Sequence, residues 1–562
     1  MDEIGCKTVS VSVNCKIRDR FPLTAPRDQQ VQIMDWLDEN WDSKRFFMID
    51  APPGVGKSAI AMAAARTAAR AYFLTSTKIL QDQYMESFSD VKNLKGKDNY
   101  DCGINPIFRV SAAPCVSDRP LKNSCVSQRI CPYYNAVSDA MRADFMITSY
   151  AYFLMAVECG PLKDREPEYV RGLVVCDEAH EIDSIMASFV GFELDPKLLR
   201  EEFGISASSP IGSISAAKDE QSRRAAMKTF VDEFVSPKLE EFEEAVKSVM
   251  DAAKRAANNN IGKIHPNAAK QAREITQKRD RLDRIYKRVQ RYYQGRAGSA
   301  GDWLMTKEDG KLVFSPLTGR VGFQEYISSF ADKVIMMSAS LGDPDVLADE
   351  LGIDKREMCS ISVGTPFDPA RSPVYVCPVA KMDKNNIAAS MPIIVEAIGG
   401  IMDSHPDEKG IVHTGNYRIA EAIIDGLSKS TGSRVIGKKN SRIRESNEEL
   451  LLRHVTDEKP TVLVSPSMHT GVDLRDELSR FQVVAKLPWS NLGDPRVAEK
   501  AKNPKWYAND MIKKLVQASG RSTRSEEDHA VTYILDSGFT NVWNRWHSLI
   551  PSWFRERVSL VE

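Results

Sequence analysis

Residues 51–58 read APPGVGKS and stand between an apolar run, RFFMID (45–50), and a small-residue run, AIAMAAARTAAR (59–70). A short unbroken apolar run is the pattern of a strand buried on both faces, and the alanine-rich run after it is helix-forming. A glycine-rich turn from strand to helix is where backbone N–H groups and the positive end of a helix cradle phosphate. Here the turn comprises Pro53, Gly54, Val55, Gly56, Lys57, Ser58 and Ala59. Lys57 is placed to reach the β- and γ-phosphates and Ser58 to ligate Mg²⁺. Ala51 occupies the position where this pattern usually has its first glycine. The stretch predicts a nucleoside-triphosphate site on a parallel α/β sheet.

The rest of the chain extends that prediction. It has 562 residues, 42% of them hydrophobic and 27% charged, with a net charge of −1. Such a length calls for several domains, and such a composition for a soluble globular protein. The N-terminus has no signal-peptide pattern, and no uninterrupted apolar run reaches membrane-spanning length; FMITSYAYFLMAV (145–157) is the longest candidate. A cytoplasmic enzyme is expected. Apolar strand-like runs alternate with helical stretches up to about residue 195 and again after 370, which predicts two doubly wound α/β units. From about 197 to 295 helical periodicity takes over, with Leu239, Phe242, Val246, Val249 and Ala253 on one face and Leu282, Ile285, Tyr286, Val289 and Tyr293 on another. Residues 251–300 hold 13 Lys/Arg against 4 Asp/Glu. That excess suits either a solvated helical face or a track for a phosphate backbone.

Two further stretches complete an ATPase site. LVVCDEAH (173–180) ends an apolar run in Asp177, placed to hold Mg²⁺ through water, and Glu178, the base that orients the attacking water. QASGRSTR (517–524) sets Arg521 and Arg524 three apart on one helical face, able to reach one anion from the second α/β unit. Nucleotide is then expected in the cleft between the two units. Six of the ten cysteines are scattered, but Cys102, Cys115, Cys125 and Cys131 crowd into thirty residues. In a reducing compartment that crowding points to a metal site, either iron–sulfur or zinc, before disulfides.

Taken in order, these motifs resemble those of superfamily 2 helicases, and more narrowly of the XPD/DinG family of iron–sulfur helicases. PRDQQ (26–30) is similar to the family's N-terminal element, which implies Arg27 and Gln30 near the nucleotide base. TSTKILQDQY (75–84) resembles motif Ia, DEAH motif II, and MMSASL (336–341) motif III with Ser340 in place of threonine. GTPF (364–367) resembles the S-P-F element, HTGNYRIAEAI (413–423) occupies motif IV, and SMHTGVDL (467–474) resembles motif V, with Gly471 and Asp473 fitting but the usual Trp-Glu absent. KLPWSNLGDP (486–495) resembles the K-L-P-F segment. QASGRSTR fits motif VI, implying Gln517, Arg521 and Arg524. The cysteines lie where this family inserts its [4Fe–4S] domain.

The resemblance implies two RecA-like motor domains, with a cluster domain and a helical arch inserted in the first. The expected division is 1–92, 141–196 and 316–365 for helicase domain 1, 93–140 for the cluster domain, 197–315 for the arch, and 366–562 for helicase domain 2. It implies ATP, Mg²⁺ and a [4Fe–4S] cluster as cofactors. It further implies 5′→3′ translocation on single-stranded DNA by a monomer, with forked or 5′-tailed duplex or a DNA–RNA hybrid as substrate. Tyr133 and Tyr134, with Lys92, Lys95, Lys97, Arg109 and Lys122, suit either a stacking surface or ordinary packing. A nucleic-acid-stimulated ATPase switch that remodels without unwinding would use the same motor residues.

Overall fold

The computed structural model describes residues 16–116, 119–163, 166–258, 266–294, 302–428, 434–438, 446–466, 476–520 and 528–561. The phosphate-loop strand is β1 (Phe46–Asp50), followed by β2 (Ala71–Thr75), β3 (Val91–Asn93), β4 (Phe145–Ser149) and β5 (Arg171–Asp177). The chain then leaves this sheet for β6 (Phe192–Leu194), a run of helices, and the hairpin β7 (Trp303–Glu308) and β8 (Lys311–Pro316). It returns as β9 (Ala331–Ser338) and β10 (Met358–Ser362). The first sheet is parallel throughout, in the order β10-β1-β9-β5-β2-β4-β3. The strand between the phosphate-loop strand and the DEAH strand is therefore β9, from far downstream.

The second sheet takes β11 (Val374–Ala380), β12 (Gly410–His413), β13 (Val435–Gly437), β14 (Val462–Ser465), β15 (Phe481–Val484), β16 (Val531–Asp536) and β17 (Val558–Leu560). It too is parallel, in the order β13-β14-β12-β15-β16-β11-β17. Strands such as β1, β2 and β12 are buried at every position because helices cover both faces of each sheet. Buried Arg171 ties the base of the first sheet: its guanidinium donates to the carbonyls of Ala71, Asp144 and Ala140 at 2.9, 2.8 and 3.1 Å. Paired this way and lying over the Tyr72 ring, its charge is tolerated inside. These are two RecA-like domains.

Between β6 and β7 the helices Pro196–Phe203, Ser208–Ala216, Glu220–Phe230, Ser236–Asn258 and Pro266–Gln294 build a separate core around Phe203, Met227, Phe230, Leu282 and Val289. Of the tyrosine pair at its end, Tyr292 is the fully buried one and Tyr293 only partly so. Past the helix Pro266–Gln294, β7 and β8 form a hairpin that pairs with β6 as a three-stranded antiparallel sheet. The 29-residue helix Pro266–Gln294 reaches the cysteine-bearing unit, where Arg273 Nη1 donates to the Ala112 carbonyl at 2.9 Å. Near its other end Arg291 pairs with Glu158 of the first motor domain at 3.1 Å. The helix Ile387–Ser404 is long and apolar enough, by length and composition, to cross a membrane. The apolar run 145–157 falls instead on β4 and the shorter helix Tyr150–Cys159. Ser390, Ile394, Ile398 and Met402 of the helix Ile387–Ser404 are buried, the three apolar ones against the second sheet.

A buried ionic cluster fixes one motor domain on the other. Asp183, on the helix just past DEAH, accepts from Arg496 Nη2 and Lys500 Nζ, each at 2.7 Å, and from the Gly319 N–H at 2.7 Å. Lys500 also pairs with Glu350, whose Oε1 accepts from Trp506 Nε1 at 2.5 Å. Lys500 and Arg496 lie in the helix Pro495–Lys500 of the second domain, and the next helix, Pro504–Ser519, carries Gln517.

Candidate active site

The phosphate loop has the backbone its sequence requires. Gly54 and Gly56 stand at φ +82° and +80°, where a side chain would be strained, whereas Ala51 does not. That is why alanine is accepted at 51: its N–H continues the β1 ladder to the Ser338 carbonyl at 3.0 Å. Gly56 caps the helix Lys57–Thr67. Arg27 Nη1 donates to the Gly54 carbonyl. Gln30 accepts the Arg27 N–H at 2.8 Å, and its amide lies 3.5 Å from the Gly56 carbonyl. The two residues expected near the base therefore brace the loop itself. Lys57 Nζ donates to the carbonyls of Ala51 and Pro52 at 2.9 and 3.4 Å.

Asp177 ends β5 beside Met337 of β9, and Asp50 ends β1 beside Ser338. Burial, then the neighbouring Glu178 charge, pushes the Asp177 carboxyl up to about 7, while Lys57 pulls it down. Glu178 sits at φ +51°, a left-handed backbone for a non-glycine residue, and its N–H donates to Asp177 Oδ1 at 3.0 Å. Ser338 Oγ donates to Glu178 at 3.3 Å and meets His180 Nδ1 at 2.8 Å. The other ring nitrogen of His180 meets Gln517 Nε2 of the second domain. Motif II, motif III and motif VI are thus joined by one polar chain across the interdomain cleft. Gly520, the residue before Arg521, lies close to the loop: a Cβ on it would stand 3.9 Å from Pro53 Cγ. Arg521, Arg524, Asp473 and Gly471 lie outside the described residues.

All four clustered cysteines are at least nine-tenths buried. Cys102 and Cys115 pack with Phe108, and Cys125 and Cys131 with Tyr133; Leu121 touches both groups. Burial pushes the Cys115 thiol up, followed by the charges of Cys125, Cys131 and Cys102, so the other three lie within electrostatic reach of Cys115. Among the described residues, no three His, Cys, Asp or Glu side chains stand close enough to hold one metal ion. Tyr133 is a packed side chain whose hydroxyl meets Tyr152 at 2.9 Å; Tyr134 is half-buried under Lys122, 5.1 Å from its ring. Of the scattered cysteines, Cys176 is fully buried but Cys159 is exposed.

Two family models match the chain: DEAD_2 over residues 110–199 and a helicase C-terminal domain over 398–557. The ATP-dependent DNA helicase YoaA of Escherichia coli K12 is 21% identical over an alignment of 616 positions, covering 92% of each chain. A probable ATP-dependent helicase of Methanocaldococcus jannaschii is 26% identical over 216 positions, 32% of each. Among solved structures, an XPD helicase superimposes with a TM-score of 0.59 at 15% identity, covering 96% of this chain and 100% of its own. Xpd4 of S. tokodaii gives 0.57 at 14%, covering 95% and 100%. The chain is similar to XPD/DinG-like superfamily 2 helicases in both family models, in its full-length relative and in fold.

Several site residues in this chain are not evident from its sequence. Ser338 and His180 sat inside quoted motifs without a role, since the contact between them is set by the β9 position in the sheet. Asp50 accepts from the Leu341 N–H at 3.2 Å and the Ser362 hydroxyl at 3.1 Å, joining three strand ends. Tyr84, on the motif Ia helix, is 2% exposed, and its hydroxyl has no hydrogen-bond partner at good geometry. Burial, then the nearby Asp177, raises it well above the usual tyrosine range. Phe367 lies on Gly54, where a Cβ would stand 2.1 Å from its Cζ. Phe367 closes the GTPF stretch (364–367), and an aromatic residue at that place in the linker is the available signal.

Proposed function

We propose that this chain is an ATP-dependent DNA helicase that moves 5′→3′ along single-stranded DNA and parts duplex or DNA–RNA hybrid. The observation that carries the reading is the chain Glu178–Ser338–His180–Gln517, which ties the hydrolytic carboxylates of one motor domain to the motif VI helix of the other. In this reading Lys57 binds the β- and γ-phosphates, Ser58 and Asp177 hold Mg²⁺, and Glu178 takes the proton of the attacking water. Arg521 and Arg524 stabilise the charge on the transferred phosphoryl group, and Arg27 and Gln30 fix the loop beside the base. Hydrolysis then alters the contact between the domains, and strand grip follows mainly through phosphate and sugar, with little sequence preference.

We assign Cys102, Cys115, Cys125 and Cys131 to a [4Fe–4S] cluster within 93–140, with the arch at 197–315. Four buried thiols, three of them within electrostatic reach of Cys115, would supply the four ligands it needs. Bound there, a cluster would cross-link a unit whose own apolar core is small. The enzyme is read as a cytoplasmic monomer.

Strand separation on forks with a 5′ or a 3′ tail, with iron measured on the same preparation, tests the whole reading. The expected result is separation of the 5′-tailed fork and about four irons per chain. Lys57→Ala is expected to lose ATP hydrolysis while staying folded, and Cys125→Ser to lose iron and unwinding more than hydrolysis. A protein that hydrolyses ATP on DNA but separates neither fork is the remodelling switch instead.

A further inference from the structure

The segment 363–373 joins β10 of the first motor domain to β11 of the second, and it runs over the phosphate loop. The Val363 N–H donates to the Asp50 carbonyl at 3.2 Å. Gln29 Nε2 donates to the Thr365 carbonyl at 3.3 Å, and the Phe367 N–H to Thr365 Oγ1 at 3.1 Å. These bonds lay the Phe367 ring on Gly54, with only 9% of the residue exposed. The ring belongs to the core of neither sheet. Its burial is against the loop and the linker, so the two move together or the contact is lost.

Phosphate binding acts on the backbone from Gly54 to Ser58, because the N–H groups of that turn are the ones that meet the anion. Close-packed contacts transmit small shifts rather than absorb them. Gly54 has no side chain to rotate aside, and an aromatic ring has few rotamers. A displacement of the loop at Gly54 is therefore passed to the linker, and the linker is the covalent tie to the second domain. We propose that Phe367 is a positioning residue that converts occupancy of the phosphate loop into reorientation of the second motor domain. This route is separate from the Gln517–His180 contact. It rests on the reading of 51–58 as an ATP site and deepens it.

The test places a dye pair on the full chain at the exposed positions Glu86 and Glu396. Energy transfer is followed on adding a non-hydrolysable ATP analogue, alongside analogue affinity, fork unwinding and thermal midpoint. Phe367→Ala is expected to bind the analogue within ~3-fold of wild type, yet to lose most of the transfer change and roughly tenfold in unwinding rate. Phe367→Leu, which refills much of the space on Gly54, is expected to restore both. A transfer change that survives in Phe367→Ala overturns the proposal. So does a loss of analogue affinity as large as the loss of unwinding, which would make Phe367 part of the nucleotide pocket. A wild type that binds no analogue overturns the ATP-site reading beneath it, without any variant being needed.

Discussion

Asp50 carries a pH signature that can be measured apart from catalysis. Burial pushes its carboxyl up to about 6, against the pull of the Leu341 and Ser362 bonds and of Lys57. A group titrating near 4 when unfolded and near 6 when folded holds its proton more tightly in the native chain. Its contribution is fully present below pH 4 and is lost as pH rises to about 6. Asp50→Asn is therefore expected to gain stability relative to wild type between pH 4 and 7, by on the order of 2 kcal/mol. Melting midpoints across that range check it; a difference that stays flat with pH means the carboxyl is already ionised throughout. Single residues also mark where the sequence stopped being readable. Lys57, Asp177 and Glu178 were legible because local spacing defines them. Ser338 and Phe367 were not, since their partners lie 160 and 313 positions away in the chain.

Among elements, the helix Pro495–Lys500 does the most to hold the motor halves in register. Lys500 is shared by two buried carboxylates, Asp183 and Glu350. Removing it leaves Glu350 with Trp506 and Asp183 with Arg496 and Gly319, a buried negative pair short of one cation. Breaking such a pair from one side costs about 3 kcal/mol. Lys500→Met is expected to show that loss in calorimetry, and to split unfolding into two transitions as the domains uncouple. A single transition at the wild-type midpoint would show that the apolar contacts suffice. The strands of both sheets were legible as apolar runs because both their faces are covered. The small sheet was not: β6 has three residues, and β7 and β8 follow a long amphipathic helix whose period dominates the window. Yet Asp309 and Gly310, both at positive φ, form the Asp-Gly turn typical of a tight hairpin, and that dipeptide was in plain view.

Taken whole, the molecule sets a nearly neutral chain around one strongly basic stretch, with 13 Lys/Arg against 4 Asp/Glu over 251–300. If that stretch tracks a phosphate backbone, affinity for single-stranded DNA is expected to fall steeply with salt. Each lost contact flattens the log–log slope by about 0.7. A variant with Lys270, Lys278 and Arg284 changed to Gln is expected to lower the slope by roughly 2; an unchanged slope would return the stretch to a solvated face. The sheet order has a consequence of a different kind, for synthesis. Both halves of the hydrolytic site have left the ribosome once Asp177 emerges, but β9, which pairs with both β1 and β5, is completed only at Ser338. At 5–20 residues per second the nascent chain waits roughly 10–30 s for it. During that time β1 and β5 present unpaired edges that only a late strand can fill, so a stalled chain ending before Ser338 is expected to bind no ATP and to lean on chaperones.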